Sequence, residues 1–192
     1  IMMSFALADM LAVGSAVQIA IRLGERREAE ASKIFSFACG MILFISLIIG
    51  AAAFGLADGL VARLGAQGPV AAMAVEYIQV YAVFSPFIMI FFALDNYLRI
   101  CGRIRYSMVL NIVISVANIA LDALFIAVFG WGIGSAALAS CLCLACGTIL
   151  GLWPFLRGKM ALHFVKGRLP LRTIGNIVTN GSSEFFANIS GS

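Results

Sequence analysis

Residues 34–57 read IFSFACGMILFISLIIGAAAFGLA, a stretch of 24 residues without one charged side chain. About 18 consecutive apolar residues suffice for an α-helix to cross the hydrocarbon core of a bilayer. A second uncharged run, from Ala123 to Leu156, is long enough for more than one crossing. These two stretches predict that the chain spans a membrane several times.

The composition of the whole chain agrees with that prediction. Hydrophobic residues make up 62% of the 192 residues and charged residues 11%, against about 25% charged in ordinary soluble domains. Breaks in the hydrophobic runs divide the chain into predicted helices at 2–21, 34–57, 71–98, 106–129, 133–155 and from 171 onward. The runs lack the alternation of membrane β-strands, so we predict an all-α polytopic membrane protein.

The basic residues predict which way the helices run. The loops at 22–33, 99–105 and 156–172 hold all but one of the 13 Lys and Arg residues. Because Lys and Arg are retained on the cytoplasmic side, we expect these loops in the cytoplasm and the protein in the cell membrane. Once topology accounts for the basic residues, none remain for a nucleic-acid groove, and contacts with membrane lipids are expected instead.

Five acidic residues fall within predicted helices, where a charge is costly unless it meets water, an ion or a partner. They are Asp9, Glu76, Asp95, Asp122 and Glu184. Glu76 and Asp95 lie near helix ends, where the membrane surface is within reach. Asp122 lies deepest, because 16 uncharged residues, 106–121, precede it in its helix. Asp122 is therefore the first candidate for a functional charge.

Asn118 lies one turn before Asp122 on the same helix face. A carboxylate and an amide oxygen together are hard ligands for a proton or a small cation such as Na⁺. Ser140, on the following helix, can add a hydroxyl oxygen. The alternative interpretation is a polar pair that holds helices together by hydrogen bonds. Asn180 and Glu184 lie in a polar patch of the last segment and are candidates for lining a cavity.

The sequence does not predict an enzyme. The only histidine, His163, lies in a basic loop, and no serine has a base at a workable spacing. The five cysteines sit in or beside apolar helices at spacings that do not converge on one metal ion, so we interpret them as packing residues. No cofactor is expected. A structural membrane subunit is a further alternative, favoured if the acidic residues are dispensable.

Several stretches together resemble one family, the multidrug and toxic compound extrusion (MATE) transporters. Residues 14–31 (GSAVQIAIRLGERREAEA) resemble the second helix and first cytoplasmic loop of that family. Residues 96–103 (NYLRICGR) resemble the loop after its helix four. Residues 118–126 (NIALDALFI) and 130–140 (GWGIGSAALAS) resemble its helices five and six. Their order and spacing extend the resemblance along nearly the whole chain.

The resemblance implies a fold of twelve helices in two lobes, of which this chain supplies helices two to six and the start of helix seven. Residues 1–155 then belong to the N-terminal lobe, and 156–170 form a cytoplasmic loop between the lobes. Residues 171–192 begin the second lobe. The chain is interpreted as a fragment truncated at both ends, with the remaining half of the transporter as its partner.

The resemblance also implies an activity. MATE transporters are secondary antiporters that export organic, often cationic and lipophilic compounds in exchange for Na⁺ or H⁺. Their cation site includes an Asn and an Asp one turn apart on helix five, which match Asn118 and Asp122, and a hydroxyl residue on helix six, which matches Ser140. An acidic residue on helix seven matches Glu184. Na⁺ at Asp122 is the only metal ion implied.

The nearest alternative is a flippase for lipid-linked oligosaccharides or polysaccharides, which shares the two-lobe architecture. Such proteins usually keep basic residues in the central cavity. No Lys or Arg lies deep in the predicted helices of this chain. The sequence therefore favours the export of organic compounds over lipid flipping.

Overall fold

The chain forms a bundle of α-helices in a computed structural model, which describes residues 2–63, 69–125, 133–158, 160–165 and 171–190. Within these ranges the helices are α1 (Met2–Gly24), α2 (Glu28–Arg63), α3 (Pro69–Ile100), α4 (Ile104–Ala123), α5 (Ile133–Leu156) and α6 (Leu171–Ser190). The described residues contain no β-strand. The predicted all-α fold is confirmed, with one helix at each predicted position.

Most helices extend further than the hydrophobic runs predict. α2 begins at Glu28 and ends at Arg63, six residues beyond the prediction at each end. Hydropathy marks the edge of the hydrocarbon core, whereas backbone hydrogen bonding continues into the interface. Glu28 and Glu30 lie in the first turn of α2, where the helix dipole favours negative charge. Lys33 and Arg99, predicted in loops, therefore lie in α2 and α3.

The C-terminal end of α4 is described as far as residue 125. The prediction ends this helix at Phe129; the regular α-helix runs to Ala123, and residues 124–125 continue it with π-helical hydrogen bonding. Residues 126–129 lie outside the described ranges.

α3 is the centre of the bundle and contacts α1, α2, α4 and α5. It continues through Pro86, which has no N–H to donate to the carbonyl of Ala82. The Ser85 hydroxyl donates to that carbonyl instead, over 2.9 Å. Gly50 of α2 lies against the same turn, since a Cβ at Gly50 would be 2.6 Å from the Ala82 oxygen. Only a glycine lets α2 approach α3 this closely.

Three buried aromatic side chains mark the end of the bundle at which α2 begins and α3 and α5 end. Phe35 of α2 stacks on Phe155 of α5 with ring centroids 4.9 Å apart. Phe35 also meets Tyr97 of α3 edge to face at 5.3 Å. We call this the basic end, because the basic turns after α1, α3 and α5 lie here.

The segment that follows α5 folds back onto the start of α2 at the basic end. The backbone N–H of His163 donates to Ser32 Oγ over 3.2 Å, and that of Val165 donates to Ser36 Oγ over 2.8 Å. Leu162 between them is fully buried. The predicted loop at 156–170 therefore begins with a stretch anchored on α2.

α1 and α6 run antiparallel in close contact. Gly14 of α1 lies directly against the backbone carbonyl of Ile177, and Gly181 of α6 lies against that of Met10. A Cβ at either glycine would overlap the opposing carbonyl oxygen. Glycines at crossings of this kind allow two helix backbones to touch.

Four of the described helices are long and apolar enough to cross a membrane, at Glu28–Ala57, Ala71–Ile100, Ile104–Ala123 and Ser135–Leu156. Their outer surfaces carry large apolar side chains, such as Phe44 and Ile119, which are 62% and 69% exposed. An apolar surface of this extent fits a lipid environment rather than water. The chain is therefore a multi-pass membrane protein, as the sequence predicts.

Candidate functional site

A polar contact joins α4 to α5 among otherwise apolar side chains. Asn118 Nδ2 on α4 donates to Ser140 Oγ on α5 over 2.9 Å, and both side chains are half-buried. An amide that donates through its nitrogen keeps its carbonyl oxygen as an acceptor or a cation ligand. Two of the three residues predicted for a cation site thus lie in direct contact.

Asp122, the third predicted residue, lies one turn after Asn118 on α4. Its Oδ1 is buried and receives no hydrogen bond from any described residue. The carboxylate lies close enough to the Cys143 thiol on α5 for the two groups to interact electrostatically. Asp122 and Asn118 therefore both face α5. A buried carboxylate oxygen without a partner is costly, and a bound proton or cation removes that cost.

The chemistry of this site follows from its donor set. Asp122, Asn118 and Ser140 offer a carboxylate, an amide carbonyl and a hydroxyl, which are all oxygen ligands. Within the described ranges no three His, Cys, Asp or Glu side chains converge as they do around a transition metal. The arrangement suits a proton or a hard monovalent cation.

The predicted residues on α6 lie apart from this site. Asn180 is half-buried beside Gly181, whereas the side chain of Glu184 lies outside the described part of the chain. Among the described residues α6 packs against α1 and does not contact α4 or α5. The structure therefore separates Asn180 from Asp122.

The other acidic residues singled out in the sequence differ in their surroundings. Asp9 is half-buried on α1, and Glu76 is exposed on α3. Both residues therefore lie outside the contact between α4 and α5 that is formed by Asn118 and Ser140. Glu76 is thus the acidic side chain of α3 that faces outward.

Sequence reasoning missed a polar network around Asp95, at the basic end. Asp95 Oδ2 pairs with Arg99 Nη2 at 2.6 Å, and Asp95 Oδ1 accepts from Asn111 Nδ2 at 2.7 Å and from the Ser107 hydroxyl. The Asp95 side chain is only 14% exposed. The sequence contains two four-residue spacings, Asp95–Arg99 and Ser107–Asn111, each of which places two polar residues on one helix face. The spacings do not reveal that the two pairs meet, because that contact depends on how α3 packs against α4.

These features define the class of the protein first: it is a multi-pass α-helical membrane protein. Between α4 and α5 it carries a carboxylate oxygen to which no residue in the described ranges donates. The family follows from comparison with known proteins. The MatE family model matches residues 1–124, about two thirds of the chain, and the chain belongs to this family. The resemblance drawn from the sequence is thereby confirmed.

The chain is similar to curated multidrug exporters over part of their length. It is 28% identical to the multidrug export protein MepA of Staphylococcus aureus strain MRSA252 over 134 residues, or 70% of this chain and 30% of that protein. It is 24% identical to MepA of Staphylococcus saprophyticus over 164 residues, or 83% of this chain and 36% of that protein. The chain thus matches about a third of the length of these relatives.

Solved structures share its fold. The inward-facing structure of a multidrug resistance MATE family transporter of the MOP superfamily has a TM-score of 0.91 and 24% identity, covering 98% of this chain and 44% of that chain. An outward-facing structure of a transporter described in the same words has a TM-score of 0.89 and 24% identity, covering 98% and 43%. Both likenesses concern the fold, and they extend over nearly the whole chain.

Proposed function

We propose that this chain is part of a cation-coupled exporter of organic compounds, with lipophilic organic cations as substrates and Na⁺ or H⁺ as the coupling ion. Membership of the MatE family and the similarity to MepA proteins, which are named multidrug export proteins, support the export of such compounds. The cation coupling depends on one observation in particular, the buried Oδ1 of Asp122 that no described residue satisfies.

In this proposal residues 1–155 form most of one lobe, and residues 171–192 begin the second. The basic turns at 22–33, 99–105 and 156–172 face the cytoplasm, as the distribution of Lys and Arg predicts. The remaining half of the transporter completes the pathway, because the chain matches only about a third of its curated relatives. The contact of α1 with α6 is then a contact between the lobes.

Coupling requires that cation and substrate prefer different arrangements of the lobes. A cation held by Asp122, Asn118 and Ser140 neutralises the buried carboxylate and favours the arrangement in which these oxygens converge. Substrate in the central cavity favours another arrangement. A ligand shifts such an equilibrium only by the difference between its affinities for the two states, so tight simultaneous binding of both ligands would abolish exchange.

The test is efflux of a fluorescent organic cation from proteoliposomes that contain the full-length transporter. Na⁺ and H⁺ gradients are imposed separately on the wild type and on Asp122→Asn. The matched control is Glu76→Gln, which changes an exposed acidic side chain of α3. We expect one gradient to drive efflux in the wild type and in Glu76→Gln, and neither gradient to drive it in Asp122→Asn.

Two results would contradict the proposal in different ways. If a well-inserted Asp122→Asn protein exports the substrate at the wild-type rate, Asp122 is not part of the coupling site. The absence of efflux from the wild type under either gradient would favour the alternative function, a flippase for lipid-linked oligosaccharides or polysaccharides.

A further inference from the structure

Polar residues recur along one side of α4 from end to end. They are Ser107, Asn111, Ser115, Asn118 and Asp122, at spacings of four, four, three and four residues. With 3.6 residues per turn, these positions fall within an arc of about 80°. We call this row the polar stripe of α4. It covers about 22 Å along the helix axis, most of the thickness of a hydrocarbon core of about 30 Å.

The polar stripe is bordered by two apolar faces. On one side Leu110 and Ile114 are buried against the bundle. On the other side Ile112, Val116 and Ile119 are 60%, 61% and 69% exposed, as expected for side chains that face lipid. The stripe lies between the packed face and this exposed face. Apart from Ser107, which is buried, its polar side chains are therefore only partly packed and do not lie among the apolar side chains that suit lipid.

The described residues leave the middle of the polar stripe only partly covered. Ser115 is exposed, and Asn111, Asn118 and Asp122 are half-buried. Polar groups at bilayer depth are tolerated where they are buried in protein or line a water-filled cavity. Successive stripe residues are about 5–6 Å apart between Cβ atoms. The hydrogen bonds of Ser107, Asn111 and Asn118 run to other helices or to the backbone and not from one stripe side chain to the next. A water molecule fits between neighbours at this spacing.

The two ends of the polar stripe carry carboxylates. At one end is Asp122, whose buried Oδ1 receives no hydrogen bond from the described residues. At the other end Ser107 and Asn111 bond to Asp95, which also pairs with Arg99. That pairing compensates the positive charge of Arg99 at the place where a cation would pass. The stripe therefore connects the candidate cation site to the basic end, where the charge of Arg99 is compensated by Asp95.

We propose that the polar stripe of α4 lines a water-filled route along which the coupling cation moves between Asp122 and the basic end. This inference rests on the proposed cation-coupled export and assigns a role to three residues outside the Asp122 site: Asn111, Ser115 and Asp95. Asn111 and Ser115 supply oxygen ligands along the route, and Asp95 compensates the positive charge of Arg99 at its end.

Cysteine accessibility tests the route without relying on transport. Stripe positions are replaced one at a time in the full-length transporter as Asn111→Cys and Ser115→Cys, and lipid-facing neighbours as Ile112→Cys and Val116→Cys. A cationic, membrane-impermeant methanethiosulfonate reagent is added at the basic end, and labelling is measured in excess over the unsubstituted protein. We expect the stripe thiols to react about tenfold faster or more, because only a thiol in water ionises to the reactive thiolate.

A flux measurement tests whether the route carries the cation. Ser115→Leu is compared with Val116→Leu, which adds an apolar group one residue away on the exposed face. Under the Na⁺ or H⁺ gradient that drives the wild type, we expect turnover to fall about tenfold in Ser115→Leu, equivalent to about 1.4 kcal/mol in the barrier. Val116→Leu should transport at the wild-type rate. The gradient that drives the wild type identifies whether the route carries Na⁺ or protons.

The outcomes separate this inference from the proposed function. If the wild type exports substrate but the stripe thiols react no faster than those at Ile112 and Val116, the route is wrong and the export function stands. Fast labelling together with full transport by a well-inserted Ser115→Leu would also overturn the cation route. If the wild type exports under neither gradient, the proposed function fails and the cation role of the stripe fails with it.

Discussion

Asp95 and Asp122 are carboxylates near opposite ends of the polar stripe of α4, and their surroundings differ. Asp95 accepts hydrogen bonds from Ser107 and Asn111 and pairs with Arg99. Asp122 has a buried oxygen that no described residue satisfies. The described residues supply the partners of Asp95, whereas none of them supplies a partner for Asp122 Oδ1. The comparison indicates that Asp95 stabilises the junction of α3 with α4, and it is consistent with the proposed role of Asp122 as the residue that exchanges a cation.

The largest expected effect is the loss of cation-dependent stabilisation in Asp122→Asn. A ligand at 100 times its dissociation constant stabilises the folded state by about 2.7 kcal/mol, and this increment should disappear with the carboxylate. The variant without added cation should unfold at the wild-type temperature or above it, because a buried charge has been removed. Thermal unfolding of the full-length transporter with and without the coupling cation measures both.

Glu76→Gln is the control for that comparison and should keep the whole cation-dependent shift. If the cation raises the unfolding temperature of Asp122→Asn as much as that of the wild type, the cation binds elsewhere. Asp122 would then not differ from Asp95 in cation binding.

The second prediction concerns Asp95→Ala, which should destabilise the protein and leave cation binding at equilibrium unchanged. Removing a charged acceptor from Ser107 and Asn111 should cost about 2 kcal/mol of unfolding free energy. Arg99 is 56% exposed and finds water once released, so Arg99→Ala should cost less than about 1 kcal/mol. Denaturant unfolding of the two variants measures the difference. An Asp95→Ala protein as stable as the wild type would contradict a structural role for this network.

The third prediction separates Asn118 from its neighbour on α5. Ser140→Ala removes the acceptor of the Asn118 amide, with an expected cost of about 1 kcal/mol in stability and about fivefold in cation affinity. Ser140→Thr keeps the hydroxyl and should restore both quantities. Cation titrations of the two variants check this expectation. Equal cation affinity in the wild type and Ser140→Ala would remove Ser140 from the site.

The smallest expected effect is a change in thiol reactivity at the basic end. Cys101 lies in the turn between α3 and α4, next to the Asp95 network, and burial raises its pKa to about 11. The thiol therefore stays protonated at neutral pH. Because the thiolate is the reactive form, the rate of maleimide labelling should rise about tenfold for each unit by which the pH is raised towards that pKa. Asp95→Ala should loosen the turn and speed up labelling at pH 7. Rapid labelling of the native wild type at pH 7 would show that the turn is open to water.

The hydropathy pattern predicts the membrane fold well, because helices that cross a bilayer must be apolar over their whole buried length. It misplaces helix ends, as at Glu28 and Arg63, because the backbone remains helical after the side chains become polar. The close approach of Gly14 to α6 and of Gly50 to α3 is not readable from the sequence, since a glycine identifies no partner.

The candidate site is readable in part. The four-residue spacing of Asn118 and Asp122 places them on one face without knowledge of the fold. The contact between Asn118 and Ser140 and the network around Asp95 join different helices, and residue spacing alone does not specify such pairs. Ser140 is a candidate from the sequence, as a hydroxyl on the following helix, and the resemblance to MATE transporters supports it. Asp95 is interpreted from the sequence only as a residue near the interface.

The most direct test of a coupling role for Asp122 is the counter-movement of cations in proteoliposomes that contain the full-length transporter. A substrate gradient is imposed without any cation gradient, and the movement of Na⁺ and of H⁺ is recorded for the wild type and for Asp122→Asn. We predict that one of the two cations moves against the substrate in the wild type and that neither moves in Asp122→Asn, although the variant still binds substrate. Cation movement of equal size in both proteins would contradict the assignment of Asp122 as the coupling carboxylate.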